Sequence, residues 1–152
     1  MDKILIGREY IKELMIRIEE ERENIDMCIY EMFHKYGSKY QNVNYMIERL
    51  WEKADKGVLV RVLMNSTLAN PKNKQNMQIF KQECESKGGQ VVEIKKGILM
   101  HAKAVQFGKR YILIGSHNVS DRSYKSHFEI SVGTESLEIN KNFREWFDTF
   151  FK

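Results

Sequence analysis

The stretch His101-Ala102-Lys103-Ala104-Val105-Gln106-Phe107-Gly108-Lys109-Arg110-Tyr111-Ile112-Leu113-Ile114-Gly115-Ser116-His117-Asn118 reads as two apolar strands around a tight turn. Gly108-Lys109 suits a two-residue hairpin loop with glycine at the first central position, as a type II′ turn prefers. That loop pairs Phe107 with Arg110, and counting back along the ladder sets His101 opposite Ser116. Side chains alternate along a strand, so His101 and Lys103 share a face. Cross-strand pairing adds Ser116, and Asn118 joins two residues further on if the chain stays extended. Gly115 lets the backbone approach closely. The remaining positions are apolar on both faces, which predicts a hairpin at the centre of a sheet. A lysine near the end of such a strand is costly unless it meets an anion, and a phosphate would supply one.

Upstream of this stretch, helices alternate with strands. Ile4-Leu5-Ile6 reads as a short strand closed by Gly7. Residues 8–23 carry Ile11, Leu14, Met15 and Ile18 at helical spacing. Ile25 to Met32 reads as a strand and residues 33–41 as a polar loop. Residues 42–55 read as a helix that Lys56-Gly57 ends. Val58 to Met64 suits a strand buried on both faces. Asn70 as cap and Pro71 at the first helical position start a helix that runs to about Glu85. Gln90 to Ile94 reads as a strand, and Lys95-Lys96-Gly97 as a basic turn. Strands are expected at about 100–107, 110–115 and 128–133, and a helix at about 136–150. The expectation is an α/β fold, a mixed β-sheet with helices on both faces, parallel early and antiparallel late. The chain of 152 residues fits a single domain, 1–152.

Composition points the same way. The chain is 42 % hydrophobic and 30 % charged, with one proline and nine glycines, which fits a globular protein and leaves no linker or low-complexity stretch. A net charge of +4 and a pI near 9.0 favour an anionic partner such as nucleic acid. Cys28 and Cys84 show no Cys-x-x-Cys spacing and read as reduced thiols. Residues 1–8 lack the pattern of a signal peptide, and no apolar run reaches the length of a membrane span. The expected location is the cytoplasm, with no membrane partner.

His101-Ala102-Lys103 followed by Gly115-Ser116-His117-Asn118 resembles the HxK…GSxN motif of the phospholipase D superfamily, and Glu129 stands where the small nucleases of that family carry a glutamate supporting the histidine. The resemblance extends over nearly the whole chain. It implies catalysis by His101, Lys103, Ser116, Asn118 and Glu129, with Lys103, Asn118, Arg122 and Lys125 binding substrate. In the implied reaction one His101 attacks phosphorus to give a phosphohistidine, and the His101 of a second subunit protonates the leaving oxygen. Glu129 orients a histidine, while Lys103 and Asn118 hold the non-bridging oxygens. No metal and no cofactor are needed. One motif copy makes half a site, which implies a twofold homodimer with the site across the interface. The expected activity is that of a nuclease acting on DNA or RNA. The alternatives are a lipid-directed phosphodiesterase and an inactive nucleic-acid-binding subunit.

Two positions depart from the family pattern. Gly108 stands where the family has an aspartate seven residues after the histidine, at a turn where that aspartate would be structural. Asn65 stands where relatives often end the strand with an aspartate. His117 lies between Ser116 and Asn118 and reads as structural, while His34 and His127 read as loop residues. Tyr36 and Tyr40, interleaved with Lys35 and Lys39, read as an ordinary polar loop rather than base-stacking residues. Trp146, Phe147, Phe150 and Phe151 read as core or dimer contacts.

Overall fold

A computed structural model describes residues 1–32, 41–67 and 71–152. The chain runs β1 (Lys3–Ile6), α1 (Arg8–Glu20), β2 (Asn24–Ile29), α2 (Gln41–Asp55), β3 (Leu59–Met64), α3 (Pro71–Ser86) and β4 (Gln90–Glu93). It continues β5 (Ala104–Phe107), β6 (Tyr111–Gly115), α4 (Asp121–Lys125), β7 (Ile130–Thr134) and α5 (Leu137–Asp148). The seven strands form one sheet in the order β1-β7-β6-β5-β2-β3-β4. β2, β3 and β4 are parallel, and β5, β6 and β7 are antiparallel, so the mixed sheet is as expected. β1 departs from the early parallel set: it lies antiparallel to β7 at the far edge.

Helices cover both faces, unequally. On one face α1, α2, α3 and α4 bury Leu14, Leu50, Phe80 and Tyr124 against Ile25, Met27, Val60, Val62, Val105 and Leu113. The helical period of α1 and α2 and the period of two along the strands put these side chains on one interior. On the other face α5 is the one helix among the described residues; its Phe143 and Phe147, with Phe150 and Phe151 just past its end, pack over Cys28, Leu63, Ala104 and Ile112. Beneath α5 the fully buried carboxylate of Asp26 takes Arg61 at 2.7 Å and Arg144 at 3.1 Å. Arg61 also reaches Asp148 at 2.9 Å. Both cysteines are free and buried, and burial pushes each thiol up to about 12.

The hairpin is central, but its turn differs from expectation. Phe107 pairs with Tyr111, not Arg110, and the loop holds three residues, Gly108, Lys109 and Arg110. Gly108 takes the left-handed conformation at φ 58°, which glycine adopts freely. The cause is packing. In this register Phe107 and Tyr111 both enter the larger core, with ring centroids 6.5 Å apart, and Arg110 turns outward to Glu21 at 3.4 Å. A two-residue loop would set Tyr111 on the face opposite Phe107, because a slip of one residue flips every side chain. The shift moves the other end of the hairpin too: the Gly115 N–H donates to the Lys103 carbonyl at 3.3 Å, so Ala102 and not His101 falls opposite Ser116.

Element ends also differ. The strand expected from about residue 100 starts only at Ala104, and the Met100 N–H bonds to the Asn65 side chain instead of a ladder partner. α1 ends at Glu20, and β2 ends at Ile29 with Met32 making an isolated bridge to Val119. α4 was not expected at all. The loop 33–41 falls outside the described residues up to 40, as do His34, Lys35, Tyr36, Lys39, Tyr40 and the cap Asn70. No helix among the described residues is long and apolar enough to cross a membrane.

Candidate active site

The site residues gather at the end of the central strands opposite the Gly108 turn. The approach to β5 is fixed from below by Asn65, buried just past β3. Its side-chain oxygen accepts the Met100 N–H at 3.2 Å, and its amide donates to the Thr67 carbonyl at 3.2 Å. An aspartate could make only the first of these bonds. Asn65 and the buried Met100 therefore pin the chain immediately before His101.

His101 is exposed. The Lys103 ammonium donates to the His101 carbonyl at 2.9 Å and stands 3.3 and 3.5 Å from the two ring nitrogens. Tyr30, one residue past β2, packs its ring against both: 4.3 Å from the His101 ring centre and 4.7 Å below the Lys103 nitrogen. A cation over an aromatic face is held by the ring quadrupole. Burial pulls the Lys103 ammonium below the ordinary lysine range, while the carboxylates of Glu129 and Glu31 pull it back up.

Ser116 enters this group differently from expectation. By strand alternation it follows Ile114 onto the face under α5, so it is not the cross-strand neighbour of His101. Its hydroxyl donates to the Glu129 carboxylate and accepts the Ile130 N–H at 3.0 Å. Gly115 makes this possible. A Cβ there would overlap the Ile130 carbonyl and Ser131 on β7. Glu129 thus has Ser116 as its hydrogen-bond partner within one chain, and it acts on Lys103 through charge.

Asn118 lines two spaces at the site. One is a small void shared with Tyr30, Lys103 and His117. The other is a cavity of ≈ 530 Å³ bordered by Glu31, Arg122, Phe128 and Glu129. The Asn118 side-chain oxygen is buried and has no hydrogen-bond partner among the described residues. α4 holds this rim. Ser120 caps it by accepting the Ser123 N–H at 3.0 Å, and Asp121 accepts the Val43 N–H at 3.0 Å at the start of α2. Arg122 is exposed on the cavity, whereas Lys125 does not border it and sits 3.9 Å from Asp121.

His117 is structural, as its position suggests. It is buried, stacks on Tyr10 at 4.2 Å, and its ring nitrogens lie 2.7 Å from the Ser131 hydroxyl and 3.2 Å from the Gly7 carbonyl. Burial lowers its pKa below the ordinary histidine value. Gly108 lies at the opposite end of β5, about 20 Å from His101 along an extended strand. Its carbonyl accepts from Arg144 at 2.7 Å. Tyr30 and Glu31 escaped the sequence reading because they follow β2, a strand distant in sequence from the hairpin. Extending the β2–β5 register beyond Cys28 and Ala104 is what brings them beside residues 101 and 102. Among the described residues no group of three His, Cys, Asp or Glu side chains is arranged to hold a metal.

Comparison with known proteins follows this geometry. A family model described as "Cardiolipin synthase, PLD-like domain" matches residues 14–151. No curated protein sequence matches the chain. Among solved structures, NucT from Helicobacter pylori superposes with a TM-score of 0.76 at 15 % identity, over 99 % of this chain and 95 % of that one. Nuc from Salmonella typhimurium, a phospholipase D family member, does so with a TM-score of 0.76 at 12 % identity, over 99 % and 95 %. TrmBL2, an archaeal chromatin protein with a novel mode of DNA binding, gives 0.63 at 13 % identity, over 99 % of this chain and 52 % of that one. At these identities the likeness is one of fold.

Proposed function

From the fact that the chain belongs to the phospholipase D-like superfamily of phosphodiesterases, we propose that it is a nuclease that cleaves DNA or RNA through His101 without a metal ion. The observation that carries the reading is the cluster at the open end of β5: an exposed imidazole, a partly buried ammonium within 3.5 Å of it, and a tyrosine ring beneath both.

In the first step a ring nitrogen of His101 attacks phosphorus. The N–P bond forms as the bond to the leaving oxygen breaks, and the His101 of a second subunit protonates that oxygen. In the second step water attacks phosphorus, passes its proton to the second imidazole, and the N–P bond breaks. Lys103 and the Asn118 amide offset charge on the non-bridging oxygens. Tyr30 keeps the imidazole in place. Ser116 and Glu129 act as a pair, with Glu129 supporting the charge on Lys103 and, across the interface, a histidine of the partner. Arg122 takes a neighbouring phosphate on the substrate strand, and Lys125 adds positive charge nearby.

The second subunit has a surface to occupy. Among the described residues α5 leaves half of its face of the sheet bare, and there Ile4 pairs with Val132, Ile6 with Ile130, and Val132 with Ile114. All five are exposed, between 39 % and 65 %. α5 itself exposes Leu137, Ile139 and Trp146. Contiguous apolar surface of this kind marks an interface. It runs directly into Ser116 and Glu129, so a twofold copy seated there brings a second His101 towards the first.

The test is cleavage in excess EDTA. Wild-type protein and His101→Ala are incubated with labelled DNA, RNA and a phosphatidyl lipid. Cleavage of nucleic acid by wild type alone supports the reading. Cleavage confined to the lipid, or loss of activity under EDTA, contradicts it. Tight nucleic-acid binding without cleavage points instead to an inactive binding subunit.

A further inference from the structure

Phe128 is 98 % exposed, one residue before Glu129. A phenylalanine ring left in water has an apolar face free for a flat partner to stack on. Phe128 is among the residues that line the ≈ 530 Å³ cavity, with Arg122, Asn118, Glu31 and Glu129. That volume lies within the range of small-ligand sites. Its lining mixes donors and acceptors: the Arg122 guanidinium and the hydroxyls of Ser120, Ser123 and Ser126 stand beside the carboxylates of Glu31 and Glu129, and the buried oxygen of Asn118 has no partner among the described residues. Two carboxylates repel a second phosphate. They accept well from a ligand that offers N–H groups on a flat ring.

Resting on the nuclease reading, we propose that this cavity is a nucleobase pocket. Phe128 stacks on an unpaired base next to the scissile phosphate, and Glu31 accepts a hydrogen bond from the base's exocyclic amino group. Cytosine, adenine and guanine carry such a group; thymine and uracil present a carbonyl at the corresponding ring position of cytosine. Arg122 at the rim takes the adjoining backbone phosphate. A base enters the pocket only out of the duplex stack, so the substrate is a single strand or an unpaired end, with aromatic stacking supplying part of the binding.

The experiment compares kcat/KM of the intact wild-type protein, Phe128→Ala and Glu31→Ala on three single strands: oligo-dC, oligo-dT and an oligomer of abasic residues with the same phosphate backbone. Wild type prefers oligo-dC over the abasic strand by about 5- to 150-fold, the span that base–aromatic stacking covers. Phe128→Ala brings that ratio towards one. Glu31→Ala reduces the preference for oligo-dC over oligo-dT by about tenfold, the scale of one hydrogen bond to a charged group. An unchanged dC-to-abasic ratio in Phe128→Ala overturns the pocket while leaving the nuclease reading intact. So does conversion of Phe128→Ala to a monomer in sedimentation, which makes Phe128 a subunit contact. If wild type cuts none of the three strands but cuts duplex DNA or RNA in excess EDTA, the pocket falls and the nuclease reading stands; if it cuts no nucleic acid in either assay, both fall.

Discussion

Val132→Lys tests whether the bare half of the sheet is a subunit interface. Val132 stands at the middle of β7, between Ile4 on β1 and Ile114 on β6, and is 39 % exposed. Complete burial of a valine, leucine or isoleucine is worth roughly 1.5–3 kcal/mol. Covering five half-exposed side chains therefore yields about 5 kcal/mol per protomer and about 10 kcal/mol for a symmetric pair, which is on the scale of the cost of association. A lysine at 132 forfeits about 1 kcal/mol of that in each protomer and strands an ammonium in a covered apolar strip, at several kcal/mol more. At about 1.4 kcal/mol per tenfold, the dimer constant weakens by at least ~10³. The isolated fold is little affected, because a polar substitution at an exposed position usually costs no more than about 0.5 kcal/mol. Sedimentation velocity should find wild type dimeric and Val132→Lys monomeric at the same concentration. Thermal unfolding should stay within a few degrees, and nuclease activity should fall with the dimer. A Val132→Lys protein that remains dimeric, or a monomer that cuts as fast as wild type, would refute this interface.

The ammonium of Lys103 gives a pH signature. Its pKa is already lowered by burial, and Glu129 opposes that shift. Removing the carboxylate in Glu129→Gln takes away a group that favours the charged form, so Lys103 deprotonates at lower pH. The alkaline limb of kcat/KM should move towards neutrality; a shift in the other direction contradicts the assignment of Lys103 as the phosphate-holding cation. Gly108→Asp restores the family's aspartate about 20 Å from the chemistry and should change kcat/KM less than about twofold, whereas a tenfold gain would mean that the turn communicates with His101. Asp26→Asn leaves Arg61 and Arg144 with a neutral partner under α5. The expected cost is about 3–5 kcal/mol, a fall of roughly 6–20 °C in Tm, read by calorimetry; an unchanged Tm would show that the α5 staple contributes little.

The strands were legible where burial is symmetric. The runs Val58 to Met64 and Ile25 to Ile29 are apolar at nearly every position because β3 and β2 are covered on both faces, and no helix of that length fits the pattern. The central hairpin was legible for the same reason. Its register was not, because two turns were compatible with Gly108. The choice was made by Phe107 and Tyr111 needing the same core, which no local rule contains. α4 was missed because five residues are too few for a helical period, although Ser120 and Ser123 form a recognisable cap. At the site, His101, Lys103 and Asn118 come to one end of the sheet as their spacing suggested. Ser116 reaches them through Glu129 instead of across the ladder. Tyr30 and Glu31 were invisible because their place depends on which strand lies beside β5, a matter of topology.

The most direct measurement is covalent trapping at His101. Wild-type protein is mixed with an oligonucleotide carrying ³²P at internal phosphates in excess EDTA, quenched with denaturant, and the labelled protein is digested and mapped. The account predicts label on the peptide containing residue 101, held by an acid-labile and base-stable bond, and none in His101→Ala. Rapid strand cleavage with no label at residue 101, or cleavage retained by His101→Ala, would contradict it.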